Sequence, residues 1–265
     1  MKGYLYYSSV EAERNREFIN DLVKHAHKQD ISLTLLVDEE QPDDDADFIL
    51  FRDRKPELSA TWETAGYRMI NRSEVNRIAN DKLKTFEMAT LLGISAIPTW
   101  LIKNDNALNS YPLVLKTIDG HGGSEVFLCK SLEEASNVFS SLKGRRLIRQ
   151  PFIESGSTDV RVFMIGDEIL GAVKRIGHNS FKSNYTLGGS VEKYVLAGWQ
   201  ENEVRKIAKA LKSDYIGIDF LLLPDGTWIL NEIEDPVGAR SLYVTHDFSV
   251  AEKLISYIKG LVEKK

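Results

Sequence analysis

The sequence predicts a mixed fold: a small parallel α/β lobe first, then a larger α+β part. Three observations lead there. Short apolar runs alternate tightly with a helical stripe between residues 4 and 51, as in a parallel sheet with crossover helices. Farther along, β-prone runs flank compact turns at Gly166-Asp167-Glu168 and Pro224-Asp225-Gly226-Thr227, which read as antiparallel hairpins. The length of 265 residues exceeds one minimal core and suits two or three compact lobes.

In chain order, residues 4–7 form a β-prone run, and Ile19, Leu22, Val23 and Ala26 recur at helical spacing. Residues 33–37 and 48–51 are short apolar runs between charged or Pro-containing loops. The first lobe is expected over residues 1–72 and the remaining domain over 73–265. Ser73 offers a helix N-cap, and one helix is expected over 74–92, with Ile78, Ala79, Leu83, Phe86 and Ala89 on one face and Gly93 as its stop. Lys82 falls on that apolar stripe, so its ammonium either snorkels to solvent or meets an anion. Ile97-Pro98-Thr99-Trp100-Leu101 leads out as extended chain.

A β-rich lobe comes next, over about 110–148, with strands at 111–117 and 126–129 around a glycine loop. Ser131 and Glu134 form a capping-box signature, opening a helix with Ala135, Val138, Phe139 and Leu142 on one side; residues 147–152 return as a strand. The last lobe, about 149–265, begins with hairpin strands 160–165 and 169–175. A helix through Val204, Ile207, Ala208 and Leu211 comes next, then strands 216–223 and 228–233, and a closing helix with Val250, Leu254, Ile255, Ile258 and Leu261.

Composition narrows the function. Hydrophobic residues make up 43% and charged residues 28%, an ordinary balance with enough apolar material for a core. A net charge of -5 argues against nucleic acid or a membrane surface as partner, since either calls for a basic patch. Cys129 is the sole cysteine and ends an apolar run, so neither a disulfide nor a nucleophile is expected. Asp43 to Asp45, behind Pro42, read as a solvated loop rather than a metal cluster. His25 and His27 read as surface residues, and His121 and His178 as loop residues. The opening MKGYLYYSSVEAE turns acidic before a signal-peptide apolar region develops, so a cytoplasmic protein is expected.

The chemistry concentrates in the second hairpin. With Asp225-Gly226 as a two-residue turn, Leu223 faces Trp228, Leu221 faces Leu230, and Asp219 faces Glu232. Glu234 lies on the same sheet face as Glu232. Like charges facing each other across strands repel, and a divalent cation would compensate them. Removing one of these acids is therefore expected to relieve repulsion.

The glycine loop Asp119-Gly120-His121-Gly122-Gly123-Ser124 lies between strands rather than before a helix. That excludes a dinucleotide fingerprint and a P-loop, and suits a flap lying over phosphates with its amides. Lys116, between apolar neighbours just before the loop, wants an anion.

Four blocks carry a resemblance: NRSEVNRIANDKLKTFEMATLLGISAIPTW, YPLVLKTIDGHGGSEVFL, DVRVFMIGDEILGAVKR with FKSNYTLGG, and IGIDFLLLPDGTWILNEIEDPVGA. In this order they resemble the ATP-grasp superfamily, specifically its RimK-like branch of ribosomal-protein glutamate ligases. The resemblance implies an ATP-grasp fold from about Asn71 onward and ATP with Mg²⁺, or Mn²⁺, as cofactors. It implies that Lys82 and Lys116 contact nucleotide phosphates under the flap of Gly120, Gly122 and Gly123, that Gln150 and Pro151 border the adenine, and that Asp159 lies near the ribose. Asp219, Glu232 and Glu234 would bind two Mg²⁺ ions; Arg161, Lys182 and Asn184 would face the phosphates or the acyl-phosphate. Three positions depart from the family: Glu234 stands where asparagine is typical, Lys182 replaces arginine, and Gln150 stands where glutamate is common. The amino-acid substrate is accordingly left open.

The activity expected of such a chain is carboxylate–amine ligation through an acyl-phosphate, needing no protein nucleophile. Its substrates would be small-molecule or peptide carboxylates and amines, and homo-oligomerisation is open. The alternatives are an ATP-grasp kinase, which leaves its product phosphorylated, and a non-catalytic ATP-binding partner protein.

Overall fold

A computed structural model describes residues 1–103, 108–123, 125–177 and 189–264. Its first sheet is parallel, in the order β2-β1-β3-β4, formed by β1 (Lys2–Tyr7), β2 (Ser32–Val37), β3 (Phe48–Phe51) and β4 (Met69–Ile70). Helices α1 (Ser9–Arg14), α2 (Arg16–His27) and α3 (Pro56–Thr64) make the crossovers. In α2, Ile19, Leu22 and Ala26 are buried as their spacing predicts, but Val23 is exposed. His25, expected at the surface, is buried, with Nε2 3.4 Å from Asp21.

The helix expected over 74–92 is two helices, α4 (Ser73–Ala79) and α5 (Lys82–Leu91). Asp81 makes the break: its Oδ1 accepts from the Leu83 and Lys84 amides, each at 3.0 Å, as an N-cap does. Apolar periodicity runs through both helices and hides a cap that only side-chain geometry exposes. Ser73 does not cap α4; it is the first helical residue, and its hydroxyl donates to Glu63.

An antiparallel sheet, in the order β5-β8-β6-β7, comprises β5 (Trp100–Ile102), β6 (Leu113–Thr117), β7 (Val126–Cys129) and β8 (Leu147–Pro151), with α6 (Leu132–Ser141) before the last strand. Ser131 caps α6 by accepting from the Glu134 amide at 3.2 Å, while Glu134 reaches back to the Lys130 amide. The largest sheet runs β11-β10-β9-β12-β13, all antiparallel: β9 (Thr158–Ile165), β10 (Glu168–Ile176), β11 (Ser190–Tyr194), β12 (Tyr215–Leu222) and β13 (Trp228–Glu234). α7 (Gly198–Leu211), α8 (Arg240–Thr245) and α9 (Val250–Glu263) complete the chain order. Among the described residues, no helix is long and apolar enough to cross a membrane.

One apolar core joins the parallel sheet to the large sheet. Leu5, Leu50 and Ile70 pack with Phe163, Tyr215, Leu254 and Ile255. Polar ties run across the same junction. Asn71 and Asn76 each donate to one oxygen of Asp235 at 3.0 Å, and Asn80 donates to the Asp235 carbonyl at 2.7 Å. Buried Arg52, just past β3, donates to the Val237 carbonyl at 2.6 Å and to Tyr7 Oη at 3.1 Å.

Candidate active site

The hairpin β12–β13 pairs Asp219 with Glu232, as expected, by a route the sequence did not reveal. Near the turn the pairs are Leu222 with Trp228, Leu221 with Ile229 and Phe220 with Leu230, one residue off the expected register. The Leu223–Trp228 and Leu221–Leu230 pairs are therefore corrected. The turn is longer than two residues, with Leu223 N–H donating to the Thr227 carbonyl at 2.9 Å. A β-bulge at Asn231 absorbs the extra residue and restores the register, so Asp219 meets Glu232 and Gly217 meets Glu234. Pairing of Ala96 with Leu230 braces β13 just ahead of the bulge.

On its other side β12 places Asp219 opposite Arg161 of β9. Arg161 donates Nε and Nη2 to the two Asp219 oxygens, each at 2.7 Å, and its Nη2 lies 2.6 Å from Glu234 Oε1. Arg175 of β10 donates Nη2 to Asp219 at 2.7 Å and grips Asp159 through both oxygens, at 2.6 and 2.7 Å. One oxygen from each of Asp219, Glu232 and Glu234 lies within 4.8 Å of the others. The acids thus converge, but two guanidinium groups, absent from a reading of the hairpin alone, already offset their repulsion.

Burial alone would raise the Asp219 carboxyl; Arg161 and Arg175 overcome it and hold the group below the usual carboxylate range. Glu234 is raised instead, by burial first and then by Asp219 and Glu232, against the pull of Arg161. The donor set fits a hard cation: three carboxylates with spare lone pairs, Glu232 and Glu234 each about a quarter exposed and Glu232 facing a cavity.

That cavity, about 100 Å³, gathers most of the remaining expected residues: Lys82, Lys116, Gly120, Gly122, Gly123, Gln150, Pro151 and Asp159, together with Glu232. Lys116 projects from β6 and donates to Asn231 Oδ1 at 3.0 Å. Lys82, the first residue of α5, donates its amide to the Ile118 carbonyl at 3.1 Å and its ammonium to the Gly120 carbonyl, and lies 3.8 Å from Glu232. Neither lysine snorkels; both are buried. Gln150 donates to Thr99 Oγ1 at 2.8 Å, which fixes its side chain at the cavity wall. The glycine loop is cinched by Thr117 Oγ1 donating to Glu125 at 2.6 Å, and a Cβ on Gly120 would lie 2.1 Å from that hydroxyl. Lys182 and Asn184 lie outside the described residues.

Sequence reasoning missed Asn231, which holds Lys116, and Arg175, which holds Asp159 and Asp219. A signal existed for Arg175. Counted back from the expected three-residue turn Gly166-Asp167-Glu168, Asp159 falls opposite it; the structure reaches the same pair by a tighter turn and a bulge at Leu170.

A cavity under a glycine loop, two buried lysines and a converging acid triad define the class of ATP-grasp ligases. The family model described as the RimK-like ATP-grasp domain matches residues 79–258, and the chain belongs to that family. Its members are ATP-dependent ligases, and ATP with Mg²⁺ is their cofactor pair. The chain is 29% identical over 273 residues to "Uncharacterized protein MG011" of Mycoplasma genitalium, covering 98% of this chain and 94% of that protein. It is 28% identical over 209 residues to "Probable alpha-L-glutamate ligase" of Haemophilus influenzae, covering 75% and 68% of the two chains. The crystal structure of the D-cycloserine synthetase DcsG superposes with a TM-score of 0.79 at 17% identity over 99% of this chain and 100% of that one, a likeness of fold.

Proposed function

We propose that the chain is an ATP-dependent carboxylate–amine ligase working through an acyl-phosphate. The observation that carries this reading is the single cavity in which Lys82, Lys116 and the glycine loop face Glu232 and, beside it, the rest of the acid triad. In this reading Lys82 and Lys116 bind the phosphates of ATP, Gln150 and Pro151 border the adenine, and Asp159 lies at the ribose end. Asp219, Glu232 and Glu234 would hold Mg²⁺, which when bound offsets the negative charge of the phosphate oxygens. Arg161 serves by fixing Asp219 and Glu234; Lys182 and Asn184 belong to the same proposal.

The substrate carboxylate oxygen attacks the γ-phosphorus, the bond to the β-bridging oxygen breaks, and ADP leaves. The amine nitrogen then attacks the acyl carbon, the carbon–oxygen bond to phosphate breaks, and an amide, inorganic phosphate and a proton result. Lys82 and Lys116 offset charge developing on the transferred group. The loop over the cavity keeps water from the acyl-phosphate. Glutamate, named for a relative, is one candidate substrate, and the protein is read as cytoplasmic.

The test is phosphate release over a panel of amino acids, short peptides and polyamines, with hydroxylamine added. Substrate-dependent phosphate and a trapped hydroxamate are expected. A stable phosphorylated product with no free phosphate would replace the ligase reading with a kinase.

A further inference from the structure

Beside the nucleotide cavity lies a second, open cleft of about 1150 Å³. Its walls include Ser8, just past β1, and Asp53 and Arg54, just past β3. In the order β2-β1-β3-β4 those two strands flank the point where the winding reverses. The loops leaving such a point are where open parallel sheets bind ligands. The opposite wall carries Lys84 of α5 and His121 of the glycine loop. A narrow cavity lined by Arg54, Lys82, His121, Glu232 and Glu234 shares Arg54 and His121 with the cleft, so the cleft leads to the acid triad.

Most charges in this cleft cancel locally. Arg14 pairs with Glu11 at 2.8 Å, and Arg145 pairs with Asp119 at 3.0 Å and Glu125 at 2.9 Å. Arg146 stands 3.7 Å from Asp81, Asp53 stands 3.4 Å from Lys55, and Arg77 pairs with Glu74. Glu57 sits in the first turn of α3, where the helix N-terminus balances it. Two cations are left over. Arg54 and Lys84 are half-buried, and among the described residues neither forms a salt bridge; Arg54 acts on Asp235, and Lys84 on Glu74, only at longer range. The surplus reaches the loop opposite: His121 is held below its usual pKa by burial first and then by Arg54.

We propose that Arg54, supported by Lys84, binds a carboxylate of the incoming substrate other than the reacting group, making Arg54 a specificity-determining residue of the cleft. The guanidinium fork matches a carboxylate bidentately, and half-burial strengthens the pair relative to open solvent. The inference rests on the ligase reading only for which reaction the bound substrate then undergoes.

Calorimetry on the full chain, saturated with Mg²⁺ and a non-hydrolysable ATP analogue, tests it with matched probes. These are L-glutamate against L-glutamine, L-aspartate against L-asparagine, and glutarate against glutaramate. At least one carboxylate member is expected to bind about tenfold or more tightly than its amide partner. Arg54→Gln is expected to erase that preference, Arg54→Lys to keep part of it, and Lys84→Gln to weaken it, with melting curves verifying that each variant folds. No discrimination in any pair, or discrimination that survives in folded Arg54→Gln, overturns the proposal. Phosphate release with the same probes separates the two readings: a binding preference without any turnover counts against the ligase reading alone.

Discussion

Arg161 holds both oxygens of Asp219, through Nε and Nη2 at 2.7 Å each, from the strand beside it. Asp219 is 1% exposed, so Asp219→Asn strips a buried ion pair of its charge and leaves Arg161 and Arg175 undercompensated. Relief of repulsion, the expectation from sequence, gives way to a loss of roughly 3 kcal/mol or more. ATP turnover is expected to vanish as well. Denaturant unfolding beside a turnover assay checks both; a variant as stable as the parent would contradict the ion-pair account.

Glu232→Gln should part the two effects. Its side chain is 28% exposed and Lys82 lies 3.8 Å away. Stability is expected to change by about 1 kcal/mol or less, as for weakly buried pairs, while turnover is lost. Near-normal turnover would remove Glu232 from the proposed metal site.

Lys116→Ala and Lys82→Ala are expected to weaken ATP binding by about 2 kcal/mol each, the scale of a charge-assisted phosphate contact. Lys82→Ala also deprives the Gly120 carbonyl of its donor, so the loop should become more protease-sensitive in that variant only. Calorimetry and limited proteolysis read the two outcomes, and unchanged nucleotide affinity in both variants would return these lysines to structural roles.

Gly120→Ala tests the loop clasp. The new Cβ would press on Thr117 Oγ1 and, at 3.0 Å, on Glu125 Oε2, prising apart the hydrogen bond between them. ATP affinity is expected to fall by about 1 kcal/mol or more, the loss of one hydrogen bond, with global stability little changed. Gly122→Ala meets no neighbouring atom within 4 Å, but its φ of +65° strains any other residue. A milder effect is expected there, and Gly122→Ala binding ATP more weakly than Gly120→Ala would contradict the clasp.

Two buried carboxyls give the fold a pH dependence of defined sign. Asp214 is pushed up to about 6 by burial, against the Tyr257 hydroxyl donating at 2.8 Å; Asp235 reaches about 6 by burial, against Asn71 and Asn76. An unfolded aspartate titrates near ~3.9, so the folded chain binds these protons more tightly. The resulting stability is fully present below about pH 4 and lost as pH rises through about 6, on the order of 3 kcal/mol per group. Asp214→Asn keeps a carbonyl to accept from Tyr257 and should flatten part of this slope. Urea midpoints at pH 4.5 and 7.5 measure it, and an unaltered slope would show that Asp214 does not carry it.

The strand alternation, both hairpins and the acid triad were legible because each depends on local pairing with a two-residue period. Asp219 and Glu232 were matched correctly even though the turn was assumed too short, since the bulge at Asn231 cancels the error before it reaches them. Arg175 escaped notice because its partners lie across two different strands, and only their joint registers bring them together. The break at Asn80-Asp81 was hidden by continuous apolar spacing, and Arg54 by distance: 178 residues separate it from Glu232, and only the packing of two sheets puts both beside one cavity.

The ties from Asn71, Asn76, Asn80 and Arg52 onto residues 235–237 have a consequence for where this protein can be cut. The family match begins at residue 79. A fragment started there would encode the complete acid hairpin, yet of those four residues it would retain Asn80 alone. Asp235 would lose both partners of its carboxylate, and Leu254 and Ile255 would lose the apolar face supplied by Leu5 and Leu50. The stretch that heredity marks as a unit is therefore expected to be unstable when expressed alone. Supplied as a separate chain, the first 78 residues should act as a splint, restoring a stable hairpin to the remainder without a covalent link.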